Sequence, residues 1–206
     1  MGMVRISAGL TMLCMLLLVA CMSVVTSVPP IQTLASEMNL TAADVGNEFT
    51  LVLEQGREEN RDNIDRQIFR SIDDMNLRGF ESSESRVLAA IVSFGHPMAA
   101  EGVYHDVSRG FFVGLRAQVQ SPEEHLGGLV TEYDTSDLEI TFLEALPLGD
   151  KSDMVGVSHV EADVEGYSLS FRKVNVIGIV WIVGPKAVVE QTMIEHLGQM
   201  MEAKVQ

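Results

Sequence analysis

Residues 176–183, Val-Ile-Gly-Ile-Val-Trp-Ile-Val, hold one glycine and no charged side chain. A run of this length and apolarity reads as a central strand covered on both faces. It demands a sheet around it and helices packed on that sheet. The neighbouring segments supply the sheet. Tyr167, Leu169 and Phe171 alternate with Ser168, Ser170 and Arg172, the period of a half-buried strand. Residues 138–145 and 154–161 are also strand-like, and the breaks between these runs fall at Pro147-Leu148-Gly149-Asp150, Gly166 and Lys173-Val174-Asn175.

The N-terminal half adds two more strands. Phe49, Leu51 and Leu53 alternate with Thr50, Val52 and Glu54, and residues 86–94 carry no charge after Arg86. Between them, Ile64, Ile68 and Ile72 recur at i, i+4 and i+8, widened by Phe69 and Met75. That spacing predicts an amphipathic helix over 57–78, ending at the stop signals Asn76 and Gly79. Pro97 is placed to open a second helix, with Ala100, Val103, Tyr104 and Val107 on one face and Gly110 weakening it. Gly184-Pro185 predicts the start of a last helix with a buried stripe of Val188, Val189, Thr192, Met193, Leu197 and Met200. Thr41-Ala-Ala-Asp44 has capping-box spacing, and Gly46 can end the short helix it opens. The expected architecture is α+β: an antiparallel sheet of about five to six strands with two or three packed helices.

The first forty residues read differently. Arg5 precedes an uncharged apolar run, residues 8–20, which closes on Leu18-Val19-Ala20-Cys21. A short basic start and a run of this length match a secretory signal. Leu18-Val19-Ala20-Cys21 resembles the lipobox of bacterial lipoproteins, followed by small residues through Pro29-Pro30. The resemblance covers about the first thirty residues. It implies removal of residues 1–20, lipidation of Cys21 and a tether over 21–40. It also implies a cell-envelope domain, residues 41–206, held to a membrane and facing outside the cytoplasm. The absence of charge continues from Ile6 to Ser36, so an uncleaved spanning helix stopped by Pro29-Pro30 is the rival reading.

The chain has net charge −15; residues 1–20 hold Arg5 and no acid, leaving 13 basic against 29 acidic side chains beyond them. Such a surface repels nucleic acid and anionic head groups. The two cysteines are Cys14 and Cys21. Cleavage removes the first and lipidation blocks the second, so no thiolate metal site, cysteine nucleophile or disulfide is expected in the domain.

No motif names a reaction. His96, His105, His125, His159 and His196 form no HExxH or His-x-His pair. His196 falls on the expected buried stripe of the last helix. Ser158-His159 lacks the glycine two residues after serine that a nucleophile elbow needs, and in a strand the two face opposite sides. Asp134, Asp137 and Glu139 lack the spacing and glycine of a calcium loop. Gly127-Gly128 has no phosphate-loop partner. Among the twelve methionines, Met193, Met200 and Met201 cluster on the last helix, as core filler or as a soft surface for an apolar ligand. No catalytic residue, cofactor or metal is expected. The reading is a non-catalytic binding or sensing module, its partner an envelope protein or an apolar small molecule. The alternatives are a carrier of a small hydrophobic ligand or lipid, which requires a sizeable apolar cavity between sheet and helices, and a hydrolase whose site assembles only in three dimensions.

Overall fold

The structure is a computed structural model that describes residues 28–120 and 137–206. The signal segment, Cys21, His125, Gly127-Gly128 and Asp134 lie outside the described residues.

Seven antiparallel strands form one open sheet in the order β1-β2-β3-β7-β6-β5-β4. They are β1 (Thr50–Gly56), β2 (Ile72–Glu81), β3 (Arg86–Phe94), β4 (Leu138–Leu143), β5 (Lys151–His159), β6 (Glu165–Lys173) and β7 (Val176–Gly184). Two meanders, β1–β3 and β4–β7, join where β3 pairs β7. The apolar run read as the central strand is β7, fourth of seven and buried along its whole length to Val183. Its side chains feed two cores. Val176, Val180 and Ile182 face one layer; Ile177, Ile179, Trp181 and Val183 face the other.

On the first face lie α1 (Ala35–Met38), α2 (Ala42–Val45) and α5 (Gln191–Lys204). Residues 31–40, expected in the tether, belong to this layer instead. Ala35, Met38 and Leu40 are wholly buried. The Asn39 amide donates to Asn76 Oδ1 (2.8 Å), the Asn76 carbonyl (2.9 Å) and the Ala89 carbonyl (3.2 Å). Asn175 fixes Ile31 from the sheet end, accepting from its N–H at 2.6 Å and donating to its carbonyl at 3.1 Å. A buried amide must find such partners, and these bind the segment to β2, β3 and the β6–β7 turn.

The second face carries α4 (Pro97–Gln120), α3 (Arg66–Ser71) and a 3₁₀ turn (Glu58–Asn63). Pro97 is the first helical residue, as its fixed φ favours. The single helix expected over 57–78 is replaced by the 3₁₀ turn, α3 and β2. Ile64, Ile68 and Ile72 do point into one core, but ten residues of pairing to β1 and β3 outweigh the helical period. Asn76 and Gly79, read as stop signals, sit inside β2 and raise the strand count to seven. The last helix also starts later. Pro185 accepts from Val188 and Val189 in a turn, and α5 begins at Gln191. Its buried residues are Ile194, Leu197, Gly198 and Met201; Leu197, and Val189 before the helix, are buried as expected, while Ile194 and Met201 take the places expected of Met193 and Met200. Thr192 and His196 are consequently exposed.

The Thr41–Asp44 capping box is present: the Thr41 N–H and hydroxyl both donate to Asp44 Oδ2 at 2.7 Å. Gly46 ends α2 at φ 140°.

Candidate functional site

The second face is unevenly covered. α4 crosses β7, β6 and β5 and barely reaches β3. Its buried residues are Ala100, Tyr104, Leu115, Ala117, Gln118 and Val119, so from His105 to Gly114 none is buried. Along these turns the helix stands away from the β1–β3 side of the sheet. α3 and the 3₁₀ turn rise on the far side. Between these walls lies an open, mainly apolar groove of about 560 Å³, within the range of small-molecule sites.

The floor is built from alternate residues of adjacent strands: Leu53 on β1, Met75 and Leu77 on β2, Leu88 and Val92 on β3, and Trp181 on β7. Period-2 alternation puts them on one face. Ile64 and Ile68 form one wall; Val107, Gly110, Phe111 and Gly114 form the other. The span from Asp106 to Gln118 gives the groove a length of roughly 18 Å at the helical rise. Its polar side chains are amides, Gln55, Asn60, Asn63 and Gln118, and two acids, Asp65 and Asp106. No Lys, Arg or His lines it among the described residues. Asp65 caps α3, accepting from the Gln67 and Ile68 N–H groups through Oδ1.

Three features mark this surface. Gly110 and Gly114 line it, and a Cβ built on either meets nothing within 4 Å among the described residues, as is also true of Gly102 outside the groove. Glycine in a helix costs about 0.5–1 kcal/mol against alanine, a stability cost that no contact among the described residues requires. The Trp181 side chain is 3% exposed, yet its indole N–H has no hydrogen-bond partner among the described residues. The groove opens to solvent along α4, where Val113 and Gly114 are exposed, while Met75, Leu77, Leu88, Val92 and Trp181 on its floor are buried.

The described histidines occupy separate places. His96 accepts from the Met98 N–H at 3.1 Å at the start of α4. His105 Nε2 lies 2.7 Å from Lys151 Nζ. His159 ends β5 and accepts from the N–H groups of Glu161 and Ala162. His196 borders a hollow of about 100 Å³ on the opposite face, beside Asp44 and Phe49. Ser158 and His159 are consecutive in β5 and so point to opposite sides. No group of three or more His, Cys, Asp or Glu side chains suited to a metal ion occurs among the described residues. Burial raises the Tyr104 hydroxyl far above its ordinary pKa, and it is spent on Ser170 at 3.0 Å.

No family model matches the chain, and no curated protein matches it. Among solved structures, the extracellular domain of PknH from Mycobacterium tuberculosis superposes with a TM-score of 0.54. The match covers 83% of this chain and 94% of that one at 10% identity. The two share a fold. An Rv0999 orthologue from Mycobacterium smegmatis covers 80% of this chain and 95% of its own at 12% identity, with a TM-score of 0.38. Among the described residues no helix is long and apolar enough to cross a membrane.

Sequence reading missed the groove because its lining comes from seven elements between Leu53 and Trp181. Gly110 and Gly114 are its local signs, since a glycine within an otherwise good helix pattern needs a reason.

Proposed function

We propose that this chain is a membrane-anchored extracytoplasmic binding module whose groove between α4 and the sheet takes a small apolar molecule. The observation that carries the binding assignment is the 560 Å³ apolar groove. An apolar surface of this kind, open to solvent and edged by a few polar groups, is the usual form of a small-molecule site. The extracytoplasmic assignment is supported by the lipobox-like Leu18-Val19-Ala20-Cys21 and by the likeness in fold to an extracellular domain. Lipidation of Cys21 provides the anchor. The module is non-catalytic: it captures or senses its ligand.

Nile red, uncharged and emissive in apolar surroundings, tests the binding assignment. The purified full chain should enhance its emission saturably at one dye per chain, and Gly114→Leu, which fills the groove, should remove the effect. Unsaturable enhancement, or enhancement unchanged in Gly114→Leu, contradicts it. Intact mass of the membrane-extracted protein tests the anchor. A mass lacking residues 1–20 and carrying acyl chains on Cys21 is expected; the full-length mass without acyl chains means a spanning helix instead.

A further inference from the structure

We infer that the open edge of β4 is a self-association surface: two copies of this chain pair β4 with β4, antiparallel about a two-fold axis at Ile140, into one continuous sheet. The inference does not depend on the groove.

The two edges of the sheet are built differently. β1 is blunted. Its pairing with β2 shifts register between Leu51 and Leu53, and its last N–H, on Gly56, is taken by the Glu59 carboxylate at 3.0 Å. A bulge and a covered donor keep an edge strand from pairing further. β4 has neither. It pairs with β5 residue for residue from Leu138 to Leu143 without a shift. Its sequence, Leu-Glu-Ile-Thr-Phe-Leu, holds no proline, glycine or lysine. An edge this regular is a template for another strand.

The hydrogen-bond phase fixes which residues offer it. The Val160 N–H donates to the Asp137 carbonyl at 2.8 Å, and the His159 N–H turns the other way, to the Val164 carbonyl at 3.0 Å. Main-chain groups alternate sides along an antiparallel strand. Glu139, Thr141 and Leu143 therefore face β5, while Leu138, Ile140 and Phe142 present their N–H and C=O groups to the open edge. The same three side chains form one row on the α4 face, where Leu138 packs against the second core. α4 crosses β7, β6 and β5, and the rest of the row is left uncovered: Ile140 is 36% exposed and Phe142 83%.

A second copy completes both patterns at once. With Ile140 opposite Ile140 of the second copy, Leu138 falls opposite Phe142 of the second copy. At each of these pairs the main-chain hydrogen bonds run in both directions. The side chains that meet on that face are all apolar. On the other face Glu139 meets Thr141 of the second copy, so no acid stands directly opposite an acid. An axis at Glu139 would set the two Glu139 carboxylates against each other, and one at Thr141 would set Leu138 against Glu144. Such self-complementarity about one register is what a two-fold interface requires.

Sedimentation equilibrium of the full chain in a density-matched detergent tests this. A reversible monomer–dimer equilibrium is expected. Phe142→Glu, at an exposed position, should raise the dimer dissociation constant at least tenfold and keep the parent's far-UV circular dichroism. Ile140→Pro should do the same, since it removes a donor only from the open edge. A disulfide reads the register. Opposite residues of a hydrogen-bonded antiparallel pair have Cα atoms about 5.5 Å apart, within disulfide reach. Ile140→Cys should therefore cross-link under mild oxidation well above the background set by the parent's Cys14 and Cys21. Glu144→Cys, beyond the paired residues, should stay at that background. A monomer at every concentration overturns the inference. So does a dimer as tight in Phe142→Glu as in the parent, which would place association elsewhere on the chain. Equal cross-linking of Ile140→Cys and Glu144→Cys overturns the register.

Discussion

Gly110 and Gly114 give the sharpest single prediction, because the groove account requires that they be suboptimal for folding. Both lie inside α4, and a methyl group at either meets no heavy atom within 4 Å among the described residues. Alanine therefore brings no clash, and it removes the excess backbone freedom of glycine from the unfolded chain. At about 0.5–1 kcal/mol per site, Gly110→Ala with Gly114→Ala should stabilise the fold by roughly 1–2 kcal/mol. For a domain of this size that is a rise of about 2–8 °C in Tm. Urea titration followed by circular dichroism provides the measurement, with the midpoint moving up and the slope m unchanged. The same double variant should bind Nile red more weakly, because two methyl groups narrow the groove. A midpoint that stays or falls refutes the reasoning: it would mean that the space over the two glycines is filled in the folded protein. Stability gained without any loss of binding would equally detach the glycines from function.

Other positions predict opposite signs. Gly178 on β7 faces Phe171, and a Cβ there would lie 2.3 Å from Phe171 Cζ and 3.1 Å from Met201 Sδ. Gly178→Ala should destabilise by about 1–3 kcal/mol in the same urea assay; no loss would mean the sheet–α5 layer is looser than described. Asp44 should make part of the stability pH-dependent. Its partial burial raises the pKa, but hydrogen bonds from Lys204 and from Thr41 outweigh this and hold the carboxyl below its ordinary value. A depressed carboxylate stabilises fully above its unfolded pKa, about 3.9. That contribution is lost as pH falls through the lower folded value. Asp44→Asn should therefore be less stable than the parent at pH 7, with the gap closing as the pH falls below about 4; a gap independent of pH would contradict the pairing. Asn39→Leu should lower the urea midpoint, since it removes the hydrogen bonds that its buried amide donates to Asn76 and Ala89, and an unchanged midpoint would mean that residues 31–40 are not part of the folded unit.

Much of the fold is legible in the sequence where burial and period agree. β3, β6 and β7 read directly because alternation or continuous apolarity coincides with their true surroundings, and Pro97 marks the start of α4. β2 does not read, because Ile64, Ile68, Ile72 and Met75 fit a helical stripe as well as they fit the core they enter. Only the partners on either side, β1 and β3, decide the matter, and such long-range pairing has no local mark. The phase of α5 is lost for a related reason: Met193 and Met200 are only half-buried, while Ile194 and Met201 take the sheet-facing positions. Residues 31–40 look like a tether by composition, yet the amides of Asn39 and Asn175 tie them down. The groove is the least legible part. It exists because α4 lies over β7, β6 and β5 and leaves the β1–β3 side open, a consequence of helix placement that no motif encodes.

The chain holds a single tryptophan, and that residue is on the groove floor. Energy transfer from Trp181 to bound Nile red therefore tests the central claim directly. The account predicts that Trp181 emission falls in a single saturable step at one dye per chain. It also predicts that the step is absent in Gly114→Leu. Trp181 emission that is insensitive to the dye, or quenched equally in Gly114→Leu, would show that apolar ligands do not occupy the space between α4 and the sheet.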